Sequence, residues 1–176
     1  MVEVMFKEYN EYIKTTFDNL VTLNLVKSKS PVNGISGVQL YLPRQVGKST
    51  AIAEIAVNYN KAIVVTGIKS RRDNLKYLIL NTTPAISNPR KLINAIRGDK
   101  PAPKRAFNLN HVFHTSRLKD IGNIFRGLDI EQYVILLDEL TIHQFMDEIS
   151  NYQSNNSLTC AVLAGKIPVL SLKSND

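Results

Sequence analysis

Hydrophobic residues along this chain fall into short uninterrupted runs, separated by stretches with helical spacing. The run at Gly37–Leu42 is apolar and strand-like, and the runs at Ala62–Thr66 and 133–140 are typical of strands buried on both faces of a sheet. Two later runs, at 158–163 and 167–172, predict further strands. Between the runs, apolar residues recur every three or four positions, as in helices that pack on a sheet. The alternation predicts an α/β fold with a mostly parallel sheet flanked by helices.

Helical spacing extends furthest at the N-terminus, where residues 3–26 repeat apolar and aromatic side chains close to the helical period. We therefore divide the chain into an N-terminal amphipathic helical segment, residues 1–30, and an α/β core, residues 31–176. Residues 107–114 partly alternate apolar and polar side chains, which predicts one strand or a hairpin. Shorter helices are predicted at residues 49–59, 69–80, 90–96, 116–125 and 141–152.

Composition favours one globular domain. Of the 176 residues, 44% are hydrophobic and 21% are charged, which suits a chain that buries a single core.

No apolar run reaches the roughly 20 residues needed to span a bilayer, and residues 1–17 are too polar for a signal peptide. We therefore expect a cytoplasmic protein with no membrane partner. The single cysteine, Cys160, lies in an apolar run and is expected to be buried, so no disulfide or zinc framework is predicted.

The net charge of +7 favours a polyanionic partner such as nucleic acid or a nucleotide. The basic residues form two clusters, and either one is a nucleic-acid contact or a solvated surface. The first consists of Lys69, Arg71, Arg72 and Lys76. The second consists of Arg90, Lys91, Arg97, Lys100, Lys104 and Arg105.

The strongest motif is the stretch at residues 37–50, GVQLYLPRQVGKST. Gly47, Lys48 and Ser49 supply the second half of the phosphate-binding loop GxxxxGK[ST]. In such a loop, backbone N–H groups surround the phosphates, the lysine reaches the outer phosphates and the hydroxyl holds Mg²⁺. Leu42 stands where the first glycine of the motif is expected. On this motif alone, a plain strand–turn–helix remains the alternative.

A second motif follows at residues 133–140, YVILLDEL, where an apolar run ends in two adjacent carboxylates. This is the pattern of a Walker B strand. Asp138 would hold Mg²⁺, and Glu139 would accept a proton from the attacking water. The alternative is a core strand whose carboxylates begin a solvated turn. The two motifs in this order predict a P-loop NTPase of the RecA/ASCE type.

Together these residues resemble the ATPase domain of the large terminase subunit of tailed bacteriophages, over roughly residues 37–165. The loop PRQVGKST lacks the first glycine and carries Arg-Gln before the apolar-Gly-Lys-Ser unit, as terminase loops commonly do. The separation of 90 residues between Lys48 and Asp138 suits that family. The pair Arg126-Gly127 and the segment TGIKSRRDNLKYLI resemble further terminase elements.

The resemblance implies a role for each matching residue. It implies that ATP is bound by Arg44, Gln45, Val46, Gly47, Lys48, Ser49 and Thr50. Ser49 and Asp138 would hold Mg²⁺, and Glu139 would be the catalytic carboxylate together with Lys48. Arg44 would neutralise charge on the γ-phosphate, or alternatively make a simple phosphate or loop contact. Thr159 and Lys166 are candidates for sensing the γ-phosphate, in the place of the family's coupling motif.

The implied activity is ATP hydrolysis that drives double-stranded DNA translocation or packaging into a viral capsid, in the host cytoplasm. The implied partners are DNA, further copies of the chain in a ring, a portal, a small terminase subunit and a separate nuclease domain or chain. The nuclease is expected elsewhere because the sequence ends at Asp176 without the clustered acidic ligands of the family's nuclease. Two alternatives remain. One is another P-loop ATPase, AAA-type or helicase-like, and the other is a nucleotide-binding assembly factor with little activity alone.

Overall fold

The computed structural model describes residues 2–27, 34–59, 61–83, 107–125 and 128–175. Its centre is a five-stranded sheet in which every neighbouring pair of strands is parallel. In chain order the strands are β1 (Gly37–Leu42), β2 (Ala62–Thr66), β3 (Val112–His114), β4 (Val134–Asp138) and β5 (Val169–Ser174). Their spatial order is β1-β5-β4-β2-β3. The last strand in sequence therefore lies between the first strand and β4.

Helices cover both faces of this sheet, which confirms the predicted α/β class. They are α1 (Val2–Lys27), α2 (Lys48–Asn58), α3 (Lys69–Asn81), α4 (Ile121–Ile124), α5 (Ile142–Ser150) and α6 (Asn156–Leu163). Short 3-10 turns occupy Leu109–His111, Thr115–Asp120, Ile130–Gln132 and Gln153–Asn155. Within the described ranges, none of the helices has the length and apolar character required to cross a membrane.

The core has two halves, one on each face of the sheet. All five residues of β2 and of β4 are buried, which explains their continuous apolar sequence. Successive side chains of a strand point to opposite faces. Val64 and Leu136 pack in the half formed with α1, α2 and α3. Ile63 and Ile135 pack in the other half, formed with α4, α5 and α6.

The N-terminal helix packs against the helix that follows the phosphate-binding motif. Ile13 and Phe17 of α1 are buried in the first half of the core. The ring of Phe17 meets that of Tyr59 edge to face, with centroids 5.6 Å apart. Lys14 Nζ lies 3.1 Å from Glu54 Oε2 on α2. Apolar burial and this ion pair hold α1 next to α2.

The prediction of a strand at residues 158–163 is wrong, because these residues form most of α6. Leu158, Ala161 and Val162 are buried, whereas Cys160 and Leu163 are exposed, a helical spacing of burial. A short apolar run fits a strand or a helix equally well, and only packing decides between them. The expected burial of Cys160 is wrong for the same reason.

Three other predicted elements differ in extent. The predicted strand at residues 107–114 is reduced to β3 after a 3-10 turn, and the helix predicted at 116–125 is a 3-10 turn followed by one α-helical turn. The final strand starts and ends two residues later than the run at 167–172. The helix predicted at 90–96, the second basic cluster and the pair Arg126-Gly127 lie outside the described residues.

Candidate functional site

The carboxyl ends of the parallel strands meet at one edge of the sheet, as in other open α/β sheets, where ligands bind at this edge. The loop after β1, the residue after β4 and the last residue of β5 all reach this edge. A pocket of about 720 Å³ opens there. It is lined by Phe6, Arg44, Gln45, Gly47, Lys48, Ser49, Thr50, Ile68, Arg71, Glu139 and Ser174.

The phosphate-binding motif forms a tight loop that leads into the N-terminus of α2. Gln45 and Gly47 have φ angles of 61° and 83°, both in the left-handed region. A Cβ added to Gly47 would overlap the ring of Phe6 on α1, so the positive φ and this close approach both favour glycine here. In the part of the chain that the structure describes, no side chain caps the N-terminus of α2. The N–H groups of its first turn are therefore available to an anion, which the helix dipole also favours.

Lys48 directs its ammonium group into the pocket from the first turn of α2. The side chain is only 5% exposed. Its Nζ donates to Pro43 O at 3.0 Å and to Ser174 Oγ at 2.9 Å. Glu139 Oε1 lies 3.4 Å from the same nitrogen. A buried lysine requires such partners, because an unpaired buried ammonium group is unfavourable.

Glu139 follows β4 directly and is the carboxylate that faces Lys48. Its backbone has a φ of 54°, an uncommon value for a residue other than glycine. Ser174 donates its hydroxyl to Oε1 at 2.6 Å and its N–H to Oε2 at 2.8 Å. Arg71 Nη1 lies 3.2 Å from Oε1. Burial alone would raise the pKa of Glu139, but the bonds from Ser174 and the charges of Lys48 and Arg71 together lower it.

Asp138 is the last residue of β4 and is completely buried. Its Oδ2 accepts a hydrogen bond of 3.1 Å from Thr66 Oγ1 on β2, and its Oδ1 lies 3.5 Å from Arg71 Nη1. Burial raises the pKa of Asp138, and the neighbouring charge of Glu139 adds to this effect. Arg71, Thr66 and Lys48 oppose it. The carboxyl group is thus placed in a low-dielectric position where a cation would stabilise its charged form.

Asp138 and Ser49 carry side-chain oxygen atoms of the kind that bind Mg²⁺ in proteins. Among the described residues, no three His, Cys, Asp or Glu side chains are grouped to hold a metal by themselves. Mg²⁺ differs from metals held in all-protein cages, because it is commonly bound through one or two carboxylates, waters and substrate phosphates. Asp138 provides a carboxylate, and the half-buried Ser49 provides a hydroxyl on the pocket wall.

Most of the residues predicted for the site lie around this single pocket. Arg44, Gln45, Gly47, Lys48, Ser49, Thr50 and Glu139 line it. Two others do not line it. Val46 turns its side chain into the core and offers only its backbone to the loop, and Asp138 is buried in β4 next to Glu139.

The two residues proposed to sense the γ-phosphate are not at the pocket, so this prediction is wrong. Thr159 lies on α6, where its hydroxyl is buried and has no hydrogen-bond partner among the described residues. Lys166 Nζ pairs with Glu131 Oε1 at 2.7 Å on the surface. The strand that reaches the pocket after β4 is β5, which ends at Ser174. The error follows from assigning a strand to the residues of α6.

Ser174 and Arg71 line the pocket, although neither was predicted as a site residue. Ser174 is separated from Lys48 by 126 positions, and no local motif marks it. The signal that would have identified it is its place at the end of the last buried strand. Arg71 lies in the first turn of α3, directly after β2. Because the end of β2 lies at the ligand edge, a basic residue at this position was detectable as a site candidate.

The first basic cluster does not form one uniform surface. Arg71 turns toward Asp138 and Glu139. Arg72 pairs with Asp73, with its Nη2 3.0 Å from Oδ1. Lys69 is exposed and Lys76 is half-buried. The cluster is therefore divided between the pocket and the outer surface of α3.

Comparison of the chain with protein-family models and with curated proteins found no match.

Proposed function

We propose that this chain binds ATP with Mg²⁺ in the pocket and hydrolyses it, as a P-loop NTPase of the RecA/ASCE type. The observation that carries the proposal is the distance of 3.4 Å between Lys48 Nζ and Glu139 Oε1. A lysine of the type that binds phosphate and a carboxylate of the type that activates water thus lie side by side at the N-terminus of α2, where an anion is favoured. β5 lies between the two strands that carry the motifs, and its last residue, Ser174, adds a hydroxyl to the same pocket.

The residues of the site have different roles in the proposed ATP hydrolysis. Lys48 and the N–H groups at the start of α2 bind the phosphates, and the exposed Arg44 at the pocket rim neutralises charge that develops on the terminal phosphate. Ser49 and Asp138 would hold Mg²⁺, which when bound neutralises phosphate charge. Glu139 orients a water molecule and takes its proton as the water oxygen bonds to the γ-phosphorus. The bond to the bridging oxygen breaks, and ADP and phosphate leave.

We further propose that hydrolysis drives movement of double-stranded DNA, as in a terminase-like packaging motor. Support comes from the motifs described above and from the net charge of +7. The exposed Lys69 and the half-buried Lys76 on α3 are basic groups that such a partner would contact. The ring of identical subunits, the portal, the small subunit and the nuclease follow from the same resemblance and are part of this proposal.

The first experiment measures ATP binding and hydrolysis by the wild-type protein, Glu139→Gln and Lys48→Ala. We expect Glu139→Gln to bind ATP and to lose hydrolysis by at least about 100-fold, because the general base is removed. Lys48→Ala should weaken binding by roughly 10- to 100-fold, because a charge-assisted phosphate contact is lost. Glu148→Gln is the matched control, since Glu148 is exposed on α5 and lies outside the pocket. Unchanged ATP affinity in Lys48→Ala would refute the site assignment.

A second candidate function is that of a nucleotide-binding assembly factor that hydrolyses little by itself. The observation that favours it is the engagement of Glu139 by Ser174, Lys48 and Arg71, which leaves the carboxylate weakly basic. Measurement with and without double-stranded DNA separates the two functions. Hydrolysis that DNA stimulates and that disappears in Glu139→Gln supports a motor. ATP binding without hydrolysis, equal in wild type and Glu139→Gln, supports the assembly factor.

A further inference from the structure

Three donors converge on one oxygen atom of Glu139. Ser174 Oγ lies 2.6 Å from Oε1, Arg71 Nη1 lies 3.2 Å from it and Lys48 Nζ lies 3.4 Å from it. The other oxygen, Oε2, accepts the N–H of Ser174. Two of these donors are cations, and they approach from different helices, α2 and α3. The carboxylate that the proposed mechanism needs as a base therefore accepts hydrogen bonds at both oxygen atoms, with two cations beside Oε1.

The donors surround Oε1, one of the two oxygen atoms through which the carboxylate would orient the attacking water. A water molecule can bind at this oxygen atom only when at least one of the two cations moves away from it.

The terminal phosphate of a nucleoside triphosphate is the group that would draw the cations away. Lys48 belongs to the phosphate-binding loop, and the lysine of such a loop reaches the outer phosphates. Arg71 faces the same oxygen atom as Lys48, so its guanidinium group lies beside the expected position of that phosphate. A guanidinium group binds phosphate through two parallel hydrogen bonds. The Arg71 side chain lines the pocket and is 36% exposed.

We infer that Arg71 exchanges Glu139 for the terminal phosphate when a nucleoside triphosphate binds, which frees the carboxylate only when that phosphate is present. Arg71 then distinguishes triphosphate from diphosphate at this site. The inference rests on the proposed function, since it assigns a further specificity residue to the same pocket. The competing explanation is that Arg71 only neutralises Asp138 and Glu139 and never contacts nucleotide.

The test compares the binding of ADP and of a triphosphate analogue with an imido group between the β- and γ-phosphorus atoms, each with Mg²⁺, by calorimetry. Arg71→Ala should bind the analogue about 10-fold or more weakly, because a charged phosphate contact is lost, and should bind ADP within about 2-fold of wild type. Arg71→Lys keeps the charge without the bidentate geometry, so it should show a smaller loss, confined to the analogue. Arg72→Ala is the matched control, because Arg72 lies on the same helix and pairs with Asp73.

Each result decides the inference. A loss of affinity that is confined to the triphosphate analogue supports the inference. Circular dichroism of each variant establishes that the chain is folded. If Arg71→Ala does not fold, Arg71→Lys provides the decisive comparison. If the Arg71 variants changed affinity equally for both nucleotides, or for neither, the inference would be overturned while the proposed function stands. Failure of the wild-type protein to bind either nucleotide would overturn the proposed function, and the inference with it.

Discussion

Ser174 connects the two charged groups that face each other in the pocket. Its hydroxyl accepts a hydrogen bond from Lys48 Nζ at 2.9 Å and donates one to Glu139 Oε1 at 2.6 Å. Its backbone N–H binds the second carboxylate oxygen at 2.8 Å. A carboxylate bound through both oxygens keeps one orientation, so the end of β5 determines where Glu139 points. The hydroxyl and the N–H of Ser174 therefore link the position of β5 to the orientation of the Glu139 carboxylate.

Replacing Ser174 with alanine should reduce the catalytic rate more than it weakens nucleotide binding. The variant loses a hydrogen bond to a charged group, which corresponds to a fall in kcat of roughly 10- to 100-fold. The measurement is steady-state ATP hydrolysis with KM and kcat determined separately. Ser171→Ala is the control on the same strand, because Ser171 Oγ donates to Leu140 O at 2.7 Å in the core. It should lose about 1 kcal/mol of stability and keep its kcat. If Ser174→Ala kept its kcat while Ser171→Ala lost it, the assigned role of Ser174 would be refuted.

At the scale of elements, α5 anchors the turn that carries Glu139. Thr141 Oγ1 accepts the N–H of Gln144 at 3.1 Å, and Gln144 Oε1 accepts the N–H of Thr141 at 3.0 Å, which forms a capping box. Ile142 N donates to Gln39 Oε1 at 3.0 Å and so ties α5 to β1. The turn contains the left-handed Glu139, a conformation that costs free energy for a residue with a Cβ. These anchors keep that conformation populated.

We expect Thr141→Ala to lower the free energy of unfolding by about 1 kcal/mol, because the side-chain cap of α5 is removed. Urea denaturation of the wild-type and variant proteins measures this difference. Thr141→Ser keeps a hydroxyl at the same place and should stay within about 0.5 kcal/mol of wild type. If Thr141→Ala is as stable as Thr141→Ser, the capping box does not stabilise α5.

At the scale of the whole molecule, the parallel sheet brings distant parts of the chain to one edge. β1, β4 and β5 each end there, and α1 reaches it through Phe6. His111 does not line the pocket and is buried between the 3-10 turn before β3 and Tyr133, the residue that precedes β4. The ring of Phe107 lies 6.3 Å from it and that of Tyr133 lies 5.9 Å from it, measured between centroids. Burial lowers the pKa of His111 below its ordinary value of 6.5.

This burial predicts a loss of stability in mild acid. The unfolded chain takes up the proton of His111 more readily than the folded protein, because its pKa is higher. The contribution of His111 to stability is therefore complete above pH 6.5 and is lost as the pH falls from there toward the lower folded pKa. Urea denaturation from neutral to mildly acidic pH measures the effect in wild type and in His111→Gln, which has no such proton to bind. The same pH dependence in both proteins would contradict the prediction.

The sequence by itself determined the features whose physical cause is local. The apolar run of β4 is recognisable because a strand buried on both faces needs an apolar residue at every position. Lys48 and Ser49 were identifiable because the Gly-Lys-Ser unit lies between an apolar run and a stretch of helical spacing, which predicts a loop at a helix N-terminus. Asp138 and Glu139 were recognisable as site candidates because they lie at the end of such an apolar run.

Only the tertiary structure decided which groups meet at the pocket. Ser174 reaches Lys48 because β5 inserts between β1 and β4, and this order has no local signature in the chain. Arg71 belongs to a run of basic residues, and only packing turns it toward the acidic pair and Arg72 away from it. Packing also made residues 156–163 a helix, since a short apolar run satisfies either conformation until it has neighbours. Contacts between distant residues depend on how the elements pack together, and local sequence patterns do not contain that information.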